Sequence, residues 1–251
     1  MILPLATDMR KQRESSWRIL QGPRREDPVS VVSSTLPLMA LERWQYAQWL
    51  GLQRGAFTKN PEAAVIPYVR ALNSVALDEL STSAPNDLYD EAEAALEQTI
   101  EEHGATPAYV THLVKILIND AQANAFSGGP NWPDQGRALD AAERAVRWQQ
   151  ELVDHMSALR RDVPDDDHLT VLSDAINAHL TLARAEAACA LVDESLDSFG
   201  RAAKIFEEHD FDDEWGDVMR SVGQEVGADL KPHGGELPDE DRTAVWYWYG
   251  P

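Results

Sequence analysis

Cysteine is nearly absent: Cys189 stands alone in 251 residues. One thiol supports neither an internal disulfide nor a cysteine-based zinc site, and among alanines it reads as an inert, buried side chain on a central helix. Long apolar runs are missing too. No stretch approaches the ~18 consecutive apolar residues of a membrane-spanning helix. The opening MILPLATDMRKQR puts a short apolar run ahead of its charges, the wrong order and length for a secretory signal. Both absences lead to the expectation of a cytoplasmic protein. Lysine is scarce, five among 22 basic residues, against 43 acidic ones. The formal charge of −21 favours solubility and opposes nonspecific attachment to nucleic acid or anionic membranes.

That charge is unevenly placed. Residues 1–25 hold six basic side chains (Arg10, Lys11, Arg13, Arg18, Arg24, Arg25) and two acidic ones, a net of +4, so the remainder carries −25. A basic arm on an acidic body can fold back on that body or a neighbouring copy, bind an external anion such as nucleic acid, or act as an ordinary flexible terminus. The first is favoured, because the body is always present at high local concentration. Abundant Asp, scarce Lys and a preference for Arg resemble proteins of salt-accumulating halophiles, although high-GC coding makes the same exchange.

What the chain does contain is helical periodicity. Residues 29–35 are the one early segment with extended character. Pro37 opens a helix to about Leu52, with Leu38, Leu41, Trp44, Trp49 and Leu52 inward and a stop near Gly55. Asn60-Pro61-Glu62 starts the next, where Pro67 predicts either a kink or a later beginning. Asp87 reads as the cap of a helix over 88–102 that ends at Gly104. Thr106-Pro107 starts another, to Phe126. Residues 127–133 form a breaker-rich loop whose Trp132 is a candidate contact point. Its Gly128-Gly129 has neither the preceding strand nor the lysine-serine pair of a phosphate cradle. Asp134 caps a long helix to about Arg161.

Residues 165–209 follow as a long helix over 166–192, a turn at Asp193 and a shorter helix over 195–208. The long helix is apolar on two faces, leaving only Thr170, Ser173, Asp174, Asn177, Thr181 and Arg184 as a narrow polar strip, so packing on both sides is expected. A last helix, about 213–230, is weakened by Gly216, Gly223 and Gly227. The expected domains are a basic arm with an extended segment (1–36), a helical array (37–230), and an acidic linker with an aromatic tail (231–251).

Tyr89-x-x-Ala92-x-x-x-Leu96, Leu139-x-x-Ala142-x-x-x-Val146 and Phe199-x-x-Ala202-x-x-x-Phe206 resemble the second helices of tetratricopeptide repeats. There a small residue between two large ones lets the helices of a pair approach closely. The resemblance spans roughly residues 66–210. It departs from the family in spacing, since the matches begin 50 and then 60 residues apart where the family repeats every ~34. The family's glycine and tyrosine on the first helix are not clearly present. The implied fold is all-α, an irregular array of antiparallel helical hairpins with about seven to eight helices.

Two acidic runs, Asp165-Asp166-Asp167-His168 and Asp212-Asp213-Glu214 with Asp217, superficially resemble the motifs that hold magnesium-diphosphate in helical terpenoid enzymes. Both stand at helix starts, where carboxylates also complement the dipole. Among the seven histidines no Glu-x-x-His pairs occur at the spacing of a carboxylate-bridged di-iron site, and His179 reads as a satisfied core residue. No serine or cysteine nucleophile has a base in sequence context, which leaves a triad assembled in space open. No catalytic, cofactor or metal residue is assigned. The pattern points to a non-enzymatic adaptor binding protein partners or copies of itself, through Arg10, Lys11, Arg13, Trp132, Trp246, Tyr247, Trp248 and Tyr249. A structural subunit of a larger assembly, such as a virion connector-like component, is the nearest alternative. A helical enzyme or small-ligand binder using the aspartate-rich helix starts with magnesium is the other.

Overall fold

The computed structural model describes residues 43–79, 85–125, 134–158, 165–209, 211 and 213–233. Among them the chain is all-α, with eight helices and no strand. In order these are α1 (Arg43–Lys59), α2 (Pro61–Glu79), α3 (Asn86–His103), α4 (Pro107–Ala125), α5 (Gln135–Ala158), α6 (Asp165–Ala188), α7 (Val192–Glu208) and α8 (Asp213–Leu230), followed by a single 3₁₀ turn at Lys231–His233. Contacts divide the chain after Gln45, so the structure below is that of the unit Tyr46–Pro251; of the unit Met1–Gln45 only the opening turn of α1 is described. No helix among the described residues is long and apolar enough to cross a membrane.

Several helix ends follow directly from side-chain chemistry. Thr106 Oγ1 accepts the Tyr109 N–H at 3.3 Å, and Asp134 Oδ1 accepts that of Arg137 at 3.0 Å, each satisfying an amide that the first turn leaves open. Pro61 occupies the first position of α2, where its missing N–H costs nothing. Gly104 closes α3 with φ +88°, donating its N–H to the Ile100 carbonyl at 2.8 Å.

Elsewhere the expectations fail for identifiable reasons. α1 does not stop at Gly55. Its hydrogen bonding continues until the Asn60 N–H reaches the Ala56 carbonyl at 3.0 Å, and only Pro61, with no N–H, breaks the ladder. Leu52 is not inward but 73% exposed, whereas Leu50 is the buried residue of that turn. α2 begins at Pro61 and runs through the exposed Pro67. Asp87 caps nothing: α3 starts at Asn86 without a side-chain cap, and the Pro85 carbonyl takes the Leu88 and Tyr89 amides at 3.0 and 3.2 Å.

The turn after the long helix falls at residues 189–191, ahead of Asp193. There the Leu191 N–H reaches back to the Glu186 carbonyl at 2.9 Å and the Ala190 N–H to that of Ala187 at 3.0 Å. This is a Schellman closure, in which one residue must be left-handed. That residue is Ala190, at φ 61°. Glycine ordinarily holds the position, so an unbroken alanine-rich sequence carries no sign of the stop.

α6 is the packing centre, lying against α4, α5, α7 and α8. Ile176, Leu180, Ala183 and Ala187 meet Phe199, Ala202 and Ala203 of α7 and Met219, Val222, Val226 and Leu230 of α8 in one buried cluster. α8 persists through its glycines because this apolar stripe holds it, tertiary burial outweighing propensity. A second buried group joins α2, α3 and α4 through Tyr68, Leu72, Tyr89, Leu96, Leu113 and Leu117.

Two substitutions test this packing by chemical denaturation. Phe199→Ala, at a wholly buried site, is expected to cost about 3–5 kcal/mol. Ala190→Gly relieves the left-handed strain and is expected to add about 1 kcal/mol of stability.

Candidate functional site

The eight residues proposed from sequence as partner contacts (Arg10, Lys11, Arg13, Trp132, Trp246, Tyr247, Trp248, Tyr249) lie outside the described residues, as do the side chains of residues 165–168 and 212–214. Of the second acidic run only Asp217 has a described side chain, and it takes Arg220 at 2.6 Å. Among the described residues no three His, Cys, Asp or Glu side chains converge for a metal ion.

Arginine does most of the work of tying this acidic chain together. Arg137 on α5 grips Asp120 on α4 with Nε at 2.9 and 3.1 Å from its two oxygens, and Asp90 on α3 at 2.7 Å. Asn124 donates to the same Asp120 carboxylate at 3.0 Å and to Asn86 at 3.2 Å. Two turns along, Arg144 holds Glu93, and Glu97 at 2.7 Å. These groups line an open cleft of about 230 Å³, but its carboxylates are already engaged by the two guanidinium groups. It is a clasp across three helices, in which five carboxylates share two arginines. Arg54 makes a similar tie, binding both oxygens of Glu91 at 2.9 and 2.6 Å while Tyr68 donates to the same carboxylate. Burial would raise the Glu91 carboxyl, yet the hydrogen bonds from Arg54 and Tyr68 hold it below its usual range.

The second cleft differs in kind. It encloses about 250 Å³ between α5, α6 and α7. α5 supplies Val146, Gln149, Gln150 and Val153, spaced so that they share one face, and α6 supplies Leu172, Ala175, Ala178 and His179. Ile205, Glu208 and His209 close it from the end of α7. No lysine or arginine is among the described lining residues. Gln149 is 2% exposed; its Nε2 donates to the Val171 carbonyl at 2.7 Å, and Oε1 has no partner among the described residues. His179 is also buried, and its Nδ1 has no partner among the described residues. It is therefore not the satisfied core histidine expected from sequence. Burial, reinforced by Arg201 and only partly opposed by Asp197, pulls its imidazolium down to about 4, so the ring is neutral at pH 7.

Two further groups on this side of the molecule depart from expectation. Cys189 sits in the turn, half-buried, with Sγ 3.8 Å from the Gln135 carbonyl; burial and then Glu186 push its thiol up, so it is a poor nucleophile. Glu186 is 7% exposed and its Oε2 has no partner among the described residues. Burial raises its carboxyl to about 7; the Ser198 hydroxyl opposes this, while Glu194 and Asp197 of α7 and Glu143 of α5 add to it. A folded-state value above the unfolded one means that the protonated form is the one folding prefers. Its contribution is complete below about pH 4.5 and is lost as pH rises through about 7. Glu186→Gln, which cannot ionise, should therefore be more stable than the native chain at pH 8 by on the order of 1–3 kcal/mol, with the two converging at pH 4. Urea unfolding at both pH values measures this, and a gain independent of pH would contradict it.

Comparison with models of known families, with curated proteins and with solved structures finds no match for this chain.

Proposed function

We propose that this protein is a non-enzymatic adaptor or scaffold, built on an irregular, tetratricopeptide-like array of helical hairpins and binding protein partners or copies of itself in the cytoplasm. The observation that carries this reading is the burial at the three matched motifs. Ala92, Ala142 and Ala202 are each 0% exposed, as close helix approach at the small position requires. Their large neighbours Tyr89, Leu96 and Phe199 are buried as well, and Leu139, Val146 and Phe206 are half-buried. Consecutive helices from α2 to α8 each pack on the next, which is how an array buries faces that no single pair can cover. Subunit of a larger assembly is the nearest variant of the same reading, and the basic arm is the one segment suited to nucleic acid.

Within this reading the segment Trp246, Tyr247, Trp248, Tyr249 docks on a partner or on the chain itself, since four aromatic residues in succession would promote aggregation if left exposed. Deleting residues 244–251 should leave the helical circular-dichroism signal intact and weaken self-association or partner capture. Light scattering and pull-down at native ionic strength measure this; association unchanged by the deletion would count against the adaptor.

A further inference from the structure

The turn that joins α6 to α7 carries a device independent of the adaptor reading. Its hydrogen bonds converge on Glu186, whose carbonyl takes the Cys189 amide at 3.0 Å and the Leu191 amide at 2.9 Å. The side chain of the same residue is buried and acts on Cys189 in the turn. Its Oε2 has no partner among the described residues, while the Ser198 hydroxyl of α7 hydrogen-bonds the carboxyl. The charged groups that act on it from α7 and α5 are acidic, namely Glu194, Asp197 and Glu143. Those that α4 and α8 bring to α6 are taken up at other residues, Lys115 at Asp174, and Glu225 and Asp229 at Arg184. Burial, with the acidic surround behind it, therefore favours the neutral acid over a carboxylate and raises the group to about 7. Ala190 meanwhile closes the turn at φ 61°, a left-handed conformation that disfavours any residue carrying a Cβ. A buried proton and a strained backbone thus meet within residues 186–191.

We propose that the α6–α7 turn is a proton-locked latch, closed while Glu186 carries its proton and opening locally as Glu186 releases that proton to water and turns its carboxylate outward. The carboxyl O–H bond breaks with its electron pair left on oxygen, and no other covalent bond changes. Opening relieves Ala190, while the helices on either side stay held by Ile176, Leu180, Phe199 and Ala202 of the buried cluster. In the open turn the carboxyl returns to its ordinary value of 4.5. The closed form is the one that keeps the proton to higher pH, so opening becomes easier as pH rises from 4.5 to about 7 and levels off above that.

Amide hydrogen exchange of the full chain tests the latch, read at Ala190 and Leu191 as protection against the unfolded rate at pH 5 and pH 7.5. Protection in the native chain should fall at least about tenfold between the two, while E186Q, with no proton to release, should keep its value within about twofold. At pH 7.5 the two turn amides should be at least about tenfold less protected than those of residues 171–184, which separates local opening from global unfolding. Should E186Q fail to fold, Glu194→Gln on the exposed start of α7 takes its place, with a fall about twofold smaller than in the native chain expected. Equal protection of the native chain at both pH values, an undiminished fall in the folded variant, or turn amides as protected as those of residues 171–184 would each overturn the proposal.

Discussion

Burial of α6 around most of its circumference is the constraint on which the rest of the structure depends. A helix with water on one side can leave its polar groups there. α6 has little of that freedom, because α4, α5, α7 and α8 all lie against it, and even the strip that looked polar in sequence is largely covered: Ser173 and Thr181 are buried, and Thr170, Asp174, Asn177 and Arg184 half-buried. Each neighbour therefore supplies partners. Gln122 of α4 donates to Thr181 at 3.1 Å and Lys115 pairs with Asp174 at 3.6 Å. Gln149 of α5 donates to the Val171 carbonyl and Ser195 of α7 to that of Ala183, each at 2.7 Å. Arg184 binds Glu225 of α8. An unmatched group in such a place costs the full desolvation penalty, so these bonds fix which helix lies where more than they add net stability.

Against that pattern the unmatched atoms stand out. His179 Nδ1 and Glu186 Oε2 belong to α6 itself, and Gln149 Oε1 belongs to the side chain that already serves it. Two of the three line the same cleft. The clasp on α3, α4 and α5 is the opposite case, with each acidic group drawn onto one of two arginines. Planar guanidinium groups suit that role better than lysine, since one fork can hold two carboxylates at once. The scarcity of lysine thus has a structural counterpart at Arg54, Arg137 and Arg144.

The helices themselves were legible wherever a local chemical signal marked them. Asn60-Pro61, Thr106-Pro107, Asp134 and Gly104 all act as their residue types imply. Legibility failed where the signal was missing or tertiary. Ala190 takes a glycine's conformation with nothing in the sequence to announce it, and that displaced the turn, carried Cys189 out of the helix and placed Asp193 inside the next one. Leu52 keeps the period of an inward face, yet that face meets nothing among the described residues. The cleft was the least legible feature. Gln149, His179 and Glu208 lie on three helices, and each alone is an unremarkable residue; only packing brings them to one wall, and only a count of hydrogen bonds shows that two of them are unmet.

Enclosure of α6 is tested most directly by native-state amide hydrogen exchange. If the helix is covered around most of its circumference, the amides of residues 171–187 exchange only through global unfolding, as the slowest set in the chain and with one common free energy equal to that from denaturant. Exchange of those amides through local opening, at rates like those of α1, would contradict it.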